Sequence, residues 1–138
     1  MTQPLWEDIV RQMDRKDDLK VILNFGHQDT VMTLLTSLGL YRDEKDLRAS
    51  DWPSVQYLWK TSLVGTFSSN VGILVFDCSE ESKFSKADAV RDRWRVMVFH
   101  QERLIRIPAC DGLVCSLERF LDAFKHMALI DFILACSL

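Results

Sequence analysis

Val21-Ile-Leu-Asn-Phe-Gly-His-Gln-Asp-Thr30 is the stretch on which the reading of this chain turns. Leu19 to Phe25 is an apolar run with the composition of a strand buried on both faces, and Gly26 closes it. Val31, Leu34, Leu35 and Leu38 then recur at helical spacing, with Gly39 placed to cap the helix at its carboxyl end. Strand, glycine, polar residues and helix in this order would carry His27 and Asp29 to the carboxyl end of a buried strand. In open α/β sheets, that is where ligands bind.

Working outward, Trp6, Ile9, Val10 and Met13 predict an opening helix, with Pro4 acceptable before its first turn and Asp14-Arg-Lys-Asp-Asp18 ending it. The resulting α-β-α order implies a layered α/β architecture. From Tyr41 to Phe67 the periodicity is poor, and Asp51-Trp-Pro53 marks a turn, so a loop with short helical pieces is expected. Val71–Phe76 reads as a second apolar strand, and Glu80–Asp92 as a charged excursion. Arg95–Phe99 and Leu104–Ile107 flank His100-Gln-Glu-Arg103 and predict a hairpin with an exposed His100 in its turn. Leu113, Leu117, Phe120, Leu121 and Phe124 define a further amphipathic helix. Both faces of strands this apolar need cover, so the chain reads as part of a larger domain.

The 138 residues suit one compact domain, and 48% hydrophobic with 27% charged residues argues against disorder. A net charge of -3 gives no electrostatic reason to expect nucleic acid. No signal peptide is readable at Met1–Asp8. Met127–Leu138 is apolar, but it is short and carries Asp131, so a buried terminal helix is expected rather than a membrane span. Cys78, Cys110, Cys115 and Cys136 lack metal-like spacing, so no metal site is expected. Their number permits two disulfides, but buried free thiols are the reading adopted here. Arg91, Arg93 and Arg95 are read as a solvated sheet edge, and Trp52 and Trp59 as anchors of the long loop.

Two readings of the His27–Asp29 pair stand side by side. In the plain one, Asp29 caps a helix beginning at Thr30 and His27 is a loop histidine. In the chemical one, a phosphate sits at the helix start and a protonated His27 holds a phosphoryl oxygen. Asp29, beside that dianion, retains a proton and passes it to the departing oxygen.

Asn24-Phe-Gly-His-Gln-Asp-Thr-Val-Met-Thr-Leu-Leu35 resembles the second catalytic motif of the histidine acid phosphatases. It is most similar to that of the multiple inositol polyphosphate phosphatases, F-G-H-A-E-T-L with a leucine-rich helix after it. Further segments agree in the same order. Leu38-Gly-Leu-Tyr-Arg-Asp-Glu44 and Leu47-Arg-Ala-Ser-Asp51 resemble the family's L-G-x-x-K-D and L-T-A-x-N region. Trp59–Asn70 resembles its F-R-S-S-x-I-V-P-Y-A-S-N segment, and Val71–Cys78 its L-x-F-V-L-Y-H-C strand. Arg95–Pro108 resembles its R-V-Q-x-L-L-N-E-K hairpin, so the collinear likeness spans most of residues 5–125.

The resemblance implies a partial phosphoglycerate mutase-like layered α/β fold, a mixed sheet with helices on its faces. Residues 1–138 would be the C-terminal part of a histidine acid phosphatase domain. It implies hydrolysis of phosphomonoesters on inositol polyphosphates such as phytate, with 2,3-bisphosphoglycerate as a further substrate. The reaction would run through a phosphohistidine, without metal or other cofactor. His27 matches the phosphate-contacting histidine, and Asp29 the proton-donating glutamate, one methylene shorter. Cys78 stands at the family's cysteine position. The nucleophile belongs to an R-H-G-x-R-x-P motif that these residues do not contain, so the chain by itself is expected to be inactive. The alternatives are a non-catalytic anion-binding fragment, or one completed by a partner carrying the missing N-terminal half. The family generally enters the secretory pathway.

Overall fold

The computed structural model describes residues 3–14, 21–46, 48–51, 53–78 and 93–128. Helix α1 spans Gln3–Asp14, as its apolar spacing predicts. Helix α2 spans Gln28–Ser37, a 3₁₀ turn covers Ala49–Asp51, and the one-turn helix α3 spans Thr61–Val64. Strands β1 (Val71–Asp77), β2 (Trp94–His100), β3 (Arg103–Ile105) and β4 (Cys115–Ser116) follow, then helix α4 (Leu117–Ala128). No helix among the described residues is long and apolar enough to cross a membrane.

The layered combination of helices and sheet is the one the sequence predicts, and every ladder among the described residues is antiparallel. Strand β2 is central. One edge pairs along its whole length with β1, from Val71 opposite His100 to Asp77 opposite Trp94. Its other edge is shared, with β3 at the His100 end and β4 at the Arg95–Val96 end. Val96, Val98 and His100 alternate onto the buried face of β2, as period-two geometry requires. Val71, Ile73 and Val75 of β1 lie against the same core.

The helices cover that face. Trp6 of α1 is fully buried, stacks on Phe124 of α4 at 5.2 Å and meets Phe120 at 6.4 Å. Its indole N–H donates to Ser37 Oγ (2.9 Å) at the end of α2, which brings Leu34 and Leu38 into the same cluster. Helix α2 ends as its sequence predicts. Gly39 has φ +76°, its N–H bonds to the Thr36 carbonyl, and the Leu40 N–H bonds to the Leu35 carbonyl. This is the double bond of a Schellman termination, and only glycine takes that backbone angle without strain.

Several expectations are corrected. Val21–Phe25 is not a strand: no described strand pairs with it, and Val21, Leu23 and Phe25 are 69%, 72% and 93% exposed. Apolar composition supplies strand propensity, but a strand exists only where a neighbouring backbone accepts and donates its hydrogen bonds. The hairpin turn is two residues, Gln101-Glu102, both at positive φ as the twist of a tight hairpin demands. His100 therefore belongs to β2, and at 4% exposure it is buried rather than in the turn. Leu113 is exposed and precedes α4. Cys110 and Cys115 are not thiols but form a disulfide across the bend that delivers the chain to β4 and α4. Cys78 is a free thiol. The Asp14–Asp18 breaker beyond Asp14, Leu19, the 80–92 excursion with Arg91, Trp52, Cys136 and the terminal helix beyond Ala128 lie outside the described residues.

Trp6→Ala is expected to cost about 3–5 kcal/mol of stability, by opening a cavity between α1 and α4. Cys115→Ser should cost about 2 kcal/mol, the loop-closure value for so short a bridge. Thermal or urea unfolding checks both, with dithiothreitol on the native chain reproducing the second.

Candidate functional site

The site begins where irregular chain becomes helix. His27 is the N-cap of α2, with extended backbone (φ −92°, ψ 170°), and its carbonyl accepts from the Thr30 and Val31 N–H groups. Its imidazole makes no capping bond, unlike the short oxygen side chains usual there. Asp29 lies inside the first turn, one residue past the start of α2, and its Oδ1 accepts from the Thr30 N–H at 3.0 Å. The helix thus starts two residues before Thr30, and Asp29 serves it from within rather than as its N-cap. Both side chains are exposed. The structure places both expected site residues on the same turn, at the positive end of a ten-residue helix.

Between them, Gln28 points elsewhere: its Nε2 donates to the Gly65 carbonyl at 2.6 Å. Gly65 closes α3 and is buried. The carbonyl of Val64, just before it, accepts from His100 Nε2 at 2.9 Å. A carbonyl only accepts, so Nε2 carries the ring proton, and Nδ1 is the acceptor of the Tyr41 hydroxyl at 2.5 Å. Ser69 Oγ lies 3.3 Å from the same Nε2. That contact has the look of a nucleophile beside its base, but the Nε2 proton is committed to Val64, so His100 cannot accept from Ser69. The His100 network is a structural tie joining the end of β2 to α3 and to Tyr41, four residues beyond α2.

The long connection from Tyr41 to Phe67 is fixed by carboxylates. Asp43 accepts the backbone N–H groups of Leu58 (2.7 Å) and Trp59 (3.0 Å), and Tyr57 donates to Asp51 at 2.7 Å. Trp59 is therefore held in that loop by its backbone. Arg93 pairs with Asp77 at the end of the β1–β2 ladder, but Arg95 is half-buried on central β2, paired on both sides, so the expected solvated sheet edge is not formed there. Among the described residues, no three or more His, Cys, Asp or Glu side chains cluster as a metal site would need. Sequence reasoning missed Gln28, Gly65 and Tyr41, whose partners are 37 and 59 residues away in the chain. His100 carried a legible signal, since it continues the Val96, Val98 alternation.

A layered α/β unit with a histidine and an acid at a helix start is a form that many proteins share, and comparison with known families narrows it. Residues 2–91 match the family model described as Histidine phosphatase superfamily (branch 2), and the chain belongs to that superfamily. It is 31% identical over 117 residues to multiple inositol polyphosphate phosphatase 1 of Dictyostelium discoideum, covering 82% of this chain and 17% of that protein. The protein of the same name from Drosophila melanogaster is 27% identical over 125 residues, covering 90% of this chain and 25% of the relative. The Homo sapiens protein is 22% identical over 133 residues, covering 89% and 26%. The chain thus spans about a quarter or less of the length of these relatives. No solved structure matches it.

Burial raises the Tyr41 phenol above its ordinary value of 10.0, and the hydrogen bond to Asp51 raises Tyr57 in the same direction. A raised phenol binds its proton more tightly in the folded chain. Its contribution is complete below the unfolded value and is lost as pH climbs through the folded one. Stability to urea should therefore decline above about pH 10, and Tyr41→Phe should make that decline shallower.

Proposed function

We propose that residues 1–138 are the C-terminal part of a histidine acid phosphatase domain that hydrolyses phosphomonoesters of inositol polyphosphates. In this reading His27 holds a phosphoryl oxygen and Asp29 protonates the departing oxygen. The observation that carries it is the exposed imidazole of His27, which makes no capping bond at the N-terminus of α2, in a chain similar to three multiple inositol polyphosphate phosphatases. An imidazolium there adds its charge to the positive end of the helix, which suits a phosphate dianion. Asp29 then stands beside that dianion, and like charge favours its protonated form. A carboxylic acid so placed can donate as the ester bond breaks and the alcohol oxygen gains charge. Metal or cofactor chemistry has no part in this scheme. Phytate is the substrate assigned in this reading, with 2,3-bisphosphoglycerate a second one.

The 138 residues contain no Arg-His-Gly sequence, so the covalent step has no nucleophile among them. A second reading, a chain that binds anions and is completed by the N-terminal half of the domain, is favoured by the exposed Val21, Leu23 and Phe25 leading directly into His27. Apolar residues so exposed are suited to burial against a partner surface.

The pure chain should release no phosphate from phytate or a chromogenic phosphate ester. Turnover that His27→Ala abolishes would refute the division of the site. Titration calorimetry with inositol hexakisphosphate should show saturable binding, as an anion at a helix start would give. His27→Ala should remove on the order of 1.5–3 kcal/mol of that binding. An absence of binding heat would end the anion-binding reading.

A further inference from the structure

We infer that Gln28 is a positioning residue for the His27–Asp29 pair, clamping the first turn of α2 to the end of α3. The inference rests on the phosphate-site reading of that pair. A helix start leaves its first backbone N–H groups without partners in the helix, and a capping side chain normally steadies it. His27 occupies the capping position but makes no capping bond. Gln28 steadies the turn by another route, through its 2.6 Å bond to the Gly65 carbonyl. The imidazole of His27 is not used for capping.

The acceptor is itself held in place. The Gly65 N–H is bonded to the Thr61 carbonyl, and the neighbouring Val64 carbonyl takes the His100 Nε2 proton. The clamp is therefore fastened to the end of β2 rather than to a loose loop. Gly65 is also suited to the contact by size. A Cβ there would lie 2.8 Å from both Cγ and Nε2 of Gln28 and 3.1 Å from Cγ of Met32. The φ of Gly65 is −117°, which any residue adopts, so glycine is required for close approach and not for backbone conformation. The far end of α2 is fastened independently, by the Trp6–Ser37 bond and the Gly39 termination. Gln28 thus controls the one end that carries the chemistry.

The test compares the 138-residue chain with Gln28→Met, which keeps side-chain length but has no N–H to donate, and with Gly65→Ala, which displaces Gln28 by contact. Three measurements are made on each: the thermal midpoint, ¹⁵N relaxation of residues 27–30, and titration with inositol hexakisphosphate followed at the His27 ring Cε1–H resonance. In Gln28→Met the midpoint should fall only slightly, as the loss of one hydrogen bond requires, while backbone order at residues 27–30 falls. Affinity should drop roughly fivefold, the worth of one hydrogen bond, with a smaller shift of the His27 resonance at equal ligand. Gly65→Ala should reproduce the loss of order and affinity. Wild-type affinity in Gln28→Met overturns the positioning role, whatever happens to order. If the unaltered chain binds no inositol hexakisphosphate, the phosphate-site reading fails, and relaxation alone decides the clamp: unchanged order at residues 27–30 then overturns it.

Discussion

Trp6 is the side chain on which the rest of the fold depends. It is fully buried, its ring stacks on Phe124, and its one polar atom is satisfied by Ser37. Those contacts join α1, α4 and α2, three helices from opposite parts of the chain. A large aromatic surface supplies the burial that holds the layers together, and the indole N–H gives the arrangement a direction. Ser37 passes the tie on by donating to the Leu34 carbonyl within α2. The helix that carries His27 and Asp29 is thus anchored at its carboxyl end to the hydrophobic core.

The amino end of α2 is held by polar contacts instead. Gln28, Gly65, Val64, His100 and Tyr41 form a connected path from the first turn of the helix, across α3 and the end of β2, and back to the residue after its termination. Each buried polar atom on that path has a partner, as a low-dielectric interior demands. His100 and His27 are held in opposite ways. Both ring nitrogens of His100 are engaged, whereas the ring of His27 faces solvent without a capping bond.

The run before His27 is where sequence and structure part most clearly. Val21–Phe25 has the composition of a buried strand, yet its large side chains are exposed and it joins no ladder among the described residues. Composition records what environment a segment suits, and pairing depends on whether another backbone lies alongside. The same distinction explains His100. A four-residue polar run reads as a turn, but the tight two-residue hairpin leaves His100 on the strand and directs it inward.

Local periodicity was sufficient for α1, α2, β1, β2 and α4, for the Gly39 termination, and for the placing of His27 and Asp29 at a helix start. These features depend on neighbours within a few residues, and side-chain spacing and backbone angles encode them directly. The family too was legible in the sequence, because an ordered set of short motifs survives where overall identity is low. Tertiary structure alone decided the partners of His100 at Tyr41 and Val64, the exposure of Val21–Phe25 and the Gln28–Gly65 bond. Each depends on which distant segments meet, and spacing along the chain carries no record of that.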